Sequence, residues 1–162
     1  MKRAGLLSVC LFLGLNSGAF AFDTVEDAYA AMIHAGHGLS AQADDALRGK
    51  NADLAASLQA FSEVAAEARD TMDALEGPTD LRCIFNGMAA DAAKRAGELA
   101  RAEDATARTA VLEDIAFLGE DAVLVTPETE ADNAILAGLP PMTCAASTEP
   151  VQAADLAALL SR

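Results

Sequence analysis

The residues best placed for chemistry are two histidines, a few methionines and the cysteines. His34 and His37 stand three apart, the one arrangement in the chain with metal-ligand spacing, and Asp27 is near the same side of a helix. The apolar period around them sends His34 away from the helix's apolar stripe and His37 to its flank. No third or fourth ligand follows from the spacing, so the two read as surface histidines and no metal site is assigned. Met32, Met72 and Met88 fall on apolar stripes of three successive predicted helices. Thioethers so placed would suit Cu(I) or a haem iron. There is no C-x-x-C-H attachment motif and no core-facing histidine to pair with them, so they read as flexible filler in an alanine-rich core, and no cofactor is assigned.

Other catalytic patterns are missing. Both histidines lie off the core face, which leaves no base for a serine or cysteine nucleophile. The glycines are scattered at helix ends and build no phosphate-cradling loop. Carboxylates are abundant, but none sits on an apolar stripe where its pKa would rise. The expectation is a protein that is not an enzyme.

The cysteines are better read as structure. Residues 1–21 have the form of a cleaved export leader: Lys2 and Arg3 are followed by an apolar run from Leu6 to Leu15, a break at Asn16-Ser17-Gly18, and Ala19-Phe20-Ala21 as a small-x-small cleavage site. The run is about ten residues, too short to span a bilayer core of roughly 30 Å. Cleavage is expected between Ala21 and Phe22, which makes the protein periplasmic or secreted and removes Cys10. That leaves Cys83 and Cys144 as a single disulfide pair, as an oxidising compartment would make it. The bridge closes a loop of about sixty residues, worth on the order of 4 kcal/mol in the chain-entropy picture.

Charge narrows the partners. Cleavage removes two basic residues and no acidic one, so nine basic residues face 25 acidic ones, a net charge of −16. Nucleic acid and anionic membrane surfaces are disfavoured by repulsion. No membrane insertion is expected once the leader is gone.

These residues must be positioned by helices. Apolar content is 52%, aromatic content only 4%, and Trp is absent, a composition of small side chains that suits closely approaching helices rather than a sheet. Residues 22–162 read as one all-α domain, an up-down four-helix bundle with helices at about 23–48, 52–76, 80–103 and 105–125. The expected stripes begin with Val25, Ala28 or Tyr29, Met32, Gly36, Leu39, Ala43 and Ala46 or Leu47. The second is Leu54, Leu58, Phe61, Ala65, Ala68, Met72 and Leu75. The third is Leu81, Ile84, Phe85, Met88, Ala92, Ala96 and Leu99, and the fourth Val111, Ile115, Leu118, Ala122 and Val125. Expected caps are Asp23 with Glu26, Asn51, a left-handed Gly77 before Pro78, Thr79 or Asp80, and Asp104 or Thr106.

Cys83 lies roughly 160° from the centre of its helix's stripe, on the outer side. Thr126-Pro127-Glu128 is a helix start, and residues 126–162 read as a disulfide-tethered extension with one or two short helices: one through Ala137, then an extended Leu139–Met142 that delivers Cys144.

Phe117 and Leu124 fall off the main stripe of their helix, so that helix needs cover on two faces. With Ile135, Leu136 and Leu139 they form the candidate interaction surface, for a protein partner or a second copy in a homodimer. The functional expectation is a non-catalytic interaction protein, an envelope chaperone, adaptor or accessory subunit. The alternative is a periplasmic binder of a small ligand, metal ion or haem.

Overall fold

Thr24, Asp53 and Asp104 start three of the four helices by the same device. Each presents a side-chain oxygen to a free backbone N–H of the first turn: Asp27 donates to Thr24 (3.1 Å), Ala56 to Asp53 (3.1 Å) and Ala107 to Asp104 (2.8 Å). The structure, a computed structural model, describes residues 22–128. Among these the elements are α1 (Val25–Leu47), α2 (Leu54–Ala74), α3 (Thr79–Arg101) and α4 (Ala105–Val125), with no strand. The proposed leader, Cys144, Ile135, Leu136, Leu139 and the extension beyond Glu128 lie outside the described residues.

Three cap expectations are corrected. The α1 cap is Thr24 rather than Asp23. Both have an acid three residues on, but the Thr24 hydroxyl also donates to Asp27 Oδ2 (2.7 Å), closing a two-way box at the later position. The α2 cap is Asp53 rather than Asn51, because Asp53 directly precedes Leu54, where the buried stripe begins. Helix α3 starts after Pro78 with no side-chain cap, so neither Thr79 nor Asp80 serves.

The ends differ too. Arg48 and Gly49 (φ +71°) close α1, with Lys50 N–H returning to the Asp45 carbonyl (2.9 Å). At the end of α2 the left-handed residue is Glu76 (φ +53°), not Gly77, and Gly77 N–H returns to the Met72 carbonyl (2.8 Å). The chain thus places a side-chain-bearing residue where glycine is most at ease. Thr126 ends α4: its hydroxyl donates to the Ala122 carbonyl (2.6 Å), and its extended ψ suits the residue before Pro127, while the helix expected to start there lies outside the described residues.

Connections of a few residues make successive helices antiparallel neighbours. The four stand in a ring: α1 packs on α2 and α4, α3 packs on α2 and α4, and the diagonals barely meet. The α1–α4 seam is the most extensive and the α3–α4 seam the leanest.

The buried face of α2 is the expected one from Leu54 to Met72. Leu75, the C-cap, leaves the helical period and is 46% exposed. Helix α1 buries its expected stripe, except that Val25 and Ala46 are half-buried and Leu47 is exposed. Helix α3 buries Asn86, Ala89 and Gly97 beside its stripe, while Ile84 and Leu99 are only half-buried.

Helix α4 is rotated from the expected phase. It buries Leu112 and Gly119 with Ile115, Leu118 and Ala122, and leaves Val111 and Val125 at the margin. The cause lies in two glycines, both mid-helix and buried: Gly36, which is on the expected α1 stripe, and Gly119, which departs from the expectation of glycines at helix ends. A Cβ built on Gly36 would stand 2.6 Å from the Gly119 carbonyl oxygen, and one on Gly119 would stand 2.6 Å from the Gly36 oxygen and 2.7 Å from the Ser40 nitrogen. The two backbones are in direct contact, closer than any side-chain-bearing pair permits.

Candidate functional site

One apolar line of α4 stands on the outside of the ring. Phe117 and Leu124, two helical turns apart, are 61% and 82% exposed, against the near-complete burial of Ile115 and Ala122 on the opposite side. Beside them runs a groove of about 470 Å³ between α1 and α4, lined by His37 and Ser40 from α1 and by Phe117, Glu120, Val123 and Leu124 among others from α4. Its wall is mainly apolar, with the histidine and acids at its edge. Val123 and Ser40 are not singled out by spacing. They join the groove because the glycine crossing draws the two helices together.

The histidines part company. His37 lines the α1–α4 groove, whereas His34 lines a second groove of about 400 Å³ between α1 and α2, with Gln42, Ser57, Phe61 and Val64. Both are exposed, as is Asp27. Among the described residues no group of three or more His, Cys, Asp or Glu side chains is placed to hold a metal ion. Met32, Met72 and Met88 are all buried in the core, at 0%, 1% and 7% exposure, packed with Tyr29, Phe61 and Phe85.

Polar groups serve the helix seams. Arg95 of α3 reaches both Glu98 on its own helix (2.7 Å) and Asp114 on α4 (2.8 Å), an ion pair across the α3–α4 seam. Burial opposes its charge, but the Glu98 hydrogen bond and the surrounding carboxylates outweigh that and raise its pKa. Between α2 and α3, Arg69 donates to the buried Asn86 amide oxygen (3.1 Å) and pairs with Asp70 (2.7 Å), while Ser62 donates to the Ala89 carbonyl (3.4 Å). At the α1 end, Arg48 and Lys50 hydrogen-bond Asp45 and hold its carboxyl below the usual range.

Glu67 is the exception. Its Oε1 is buried without a hydrogen-bond partner, and burial, aided by nearby Asp70, raises its pKa. Cys83 is half-buried near the start of α3, and its sulfur is engaged rather than free.

Among the described residues no helix is long and apolar enough to cross a membrane. Fold and site together define a four-helix antiparallel ring with one helix apolar on two sides. Comparison with known proteins finds no family, no curated protein and no solved structure that matches the chain.

Proposed function

We propose that this chain is an exported, non-catalytic helical-bundle protein that works through protein–protein contact, as an envelope chaperone, adaptor or accessory subunit. The observation that carries the reading is the outer face of α4. Two large apolar side chains two turns apart stand in solvent beside an apolar groove, and desolvating such a pair is worth roughly 1.5–3 kcal/mol for each side chain fully covered. Hot spots of protein interfaces are built from such anchors with a polar rim, and Glu120, Asp121 and His37 supply the rim here.

Export, the leader and the disulfide belong to the same reading. Pairing Cys83 with Cys144 releases two protons and two electrons from the thiols, and the disulfide of an oxidising thiol–disulfide protein takes them up and leaves as a dithiol. Export to an oxidising compartment is supported by Cys83, whose sulfur is in a disulfide.

The test is native mass measurement on protein recovered from the exported fraction. Wild type is expected in a complex of fixed stoichiometry with a different chain. A Phe117→Asp/Leu124→Asp variant is expected at its monomer mass with its helical circular dichroism intact. Wild type running as a bare monomer in that fraction overturns the reading. N-terminal sequencing of the same material is expected to begin at Phe22.

A further inference from the structure

We propose that the α1–α4 groove takes a basic amphipathic helix of a partner protein, one whose large apolar residues recur seven apart with lysine or arginine between them. The inference rests on the interaction reading above and names the partner's chemistry.

The outer line of α4 alternates acid and apolar anchor. Glu113, Phe117, Glu120 and Leu124 recur at spacings of four, three and four, so they share one side of the helix, and all four are exposed. Phe117 and Leu124 stand about 10.5 Å apart at the helical rise, with Glu120 and Asp121 between them. Glu120 and Asp121 also line the groove of about 470 Å³. The ion pairs among the described residues take up none of Glu113, Glu120 and Asp121, so these charges stand without a base beside an apolar wall.

The two helices that form the groove are poor in bases. Helix α1 carries Glu26, Asp27, Asp44 and Asp45 and no lysine or arginine. Helix α4 carries Glu113, Asp114, Glu120 and Asp121 against Arg108 alone, which lies at its start, away from the groove. Across the ring the balance reverses, and α3 sets Arg82, Lys94, Arg95 and Arg101 against Asp80, Asp91 and Glu98. Helix α2 is acidic too, but its exposed large apolar residue is Leu75 at the very end. Acids and a pair of exposed anchors coincide on α4.

That charge selects the occupant. A second copy stacking its Leu124 on Phe117 would bring its Asp121 against Glu120, setting like charges together as the contact loses water. A metal ion has no seat, since no group of three or more His, Cys, Asp or Glu among the described residues is placed to hold one. A basic helix meets both demands. Its apolar residues cover Phe117 and Leu124, and the base between them faces Glu120 and Asp121. The groove between two packed helices already has the form that receives a third.

The experiment is fluorescence anisotropy on the purified protein with a labelled helical peptide of leucine and lysine, about five turns long, its leucines on one face. Saturable binding at one peptide per chain is expected. The same peptide with glutamate for lysine should not bind, and a scramble with no apolar face should bind roughly tenfold more weakly or worse. Phe117→Ser/Leu124→Ser, which leaves the net charge alone, should weaken binding more than about thirtyfold. Glu120→Gln/Asp121→Asn should weaken it about three- to tenfold and flatten its salt dependence. Glu63→Gln/Glu76→Gln removes the same charge from exposed positions on the α2 side and should leave affinity within about twofold. Equal affinity for the glutamate or scrambled peptide, full binding by the serine pair, or equal losses in the two neutralised pairs overturn the proposal. So does a dimer of the free protein that the serine pair dissolves. Circular dichroism on each variant checks that the helices persist. A native complex in the exported fraction with no binding of the lysine peptide overturns the basic helix and leaves the interaction reading in place.

Discussion

Gly119→Ala is a one-methyl change, and helix propensity alone says that it stabilises. Replacing a mid-helix glycine by alanine is worth up to about 1 kcal/mol. At this position the new Cβ would stand 2.6 Å from the Gly36 carbonyl oxygen and 2.7 Å from the Ser40 nitrogen, both backbone atoms that no rotamer can move. A carbon–oxygen contact wants about 3.3–3.6 Å, so α1 and α4 must part by roughly 0.7 Å along their most extensive seam. Overpacking of this kind costs about 1–3 kcal/mol, and separating two helices that close the ring puts it at the upper end. Net destabilisation of about 2 kcal/mol is expected, read as a fall of roughly 5–10 °C in the midpoint of thermal unfolding.

Gly38, on α1 with nothing within 4 Å of its Cβ position, is the control: Gly38→Ala should raise stability by about 0.5–1 kcal/mol. The Gly36→Ala/Gly119→Ala pair should be less destabilised than its singles imply, because the first methyl already separates the helices. Circular dichroism melts with urea titrations at constant m-value decide the matter. If Gly119→Ala matches or exceeds wild type while Gly38→Ala gains, the two backbones do not touch.

Other outcomes follow from single positions. Phe61→Ala should destabilise by about 3–5 kcal/mol, since the ring is 1% exposed in the middle of the core; an unchanged melting temperature contradicts the α2 packing. Glu76→Gly relieves a left-handed backbone position (φ +53°) and should stabilise by about 0.5–1 kcal/mol after the added freedom of the unfolded chain is counted, whereas Glu76→Ala should not. Glu67 has a folded pKa raised by burial, so the folded state binds its proton more tightly than the unfolded chain. Its contribution is fully present below the ordinary glutamate value and is lost as pH rises through the raised one. Glu67→Gln should therefore gain stability over wild type above that window and match it below, as read by urea titration across pH; a constant difference at every pH counts against it.

How far the sequence reaches is clearest at α2 and α4. The α2 stripe is legible because Leu58, Phe61 and Met72 are large and the opposite side is charged, so one rotation of the helix satisfies every residue. In α4, Phe117 and Leu124 compete with Ile115 and Leu118, and a hydrophobic count treats Gly119 as neutral. What sets the rotation is the absence of a side chain at Gly119, which matters only when Gly36 is opposite. The exposed line is legible in outline, since Phe117 and Leu124 are off the stripe in either phase, but the groove beside it is not. Caps are ambiguous for a local reason: Asp23 and Thr24, or Asn51 and Asp53, are equally good acceptors, and the winner is the one adjoining the first buried turn. The Arg69–Asn86 contact needs the α2–α3 register before either residue has a partner to point to. Asn86, beside the buried Phe85, was the only local sign.

The glycine crossing also has a place in time. Gly36 and Gly119 are about eighty residues apart in the chain, whereas the α2–α3 hairpin closes over four residues. Loop-closure entropy favours the hairpin first and the α1–α4 seam last. We expect Gly119→Ala to act almost wholly on the unfolding limb of a chevron plot, leaving the refolding rate near that of wild type; slowed refolding with an unchanged unfolding rate would place the seam in the nucleus instead. The seam formed last is also the one beside Phe117 and Leu124. Until it closes, the growing bundle offers α1 and α4 to any other copy in the same state, and a methyl at Gly119 lengthens the time spent there.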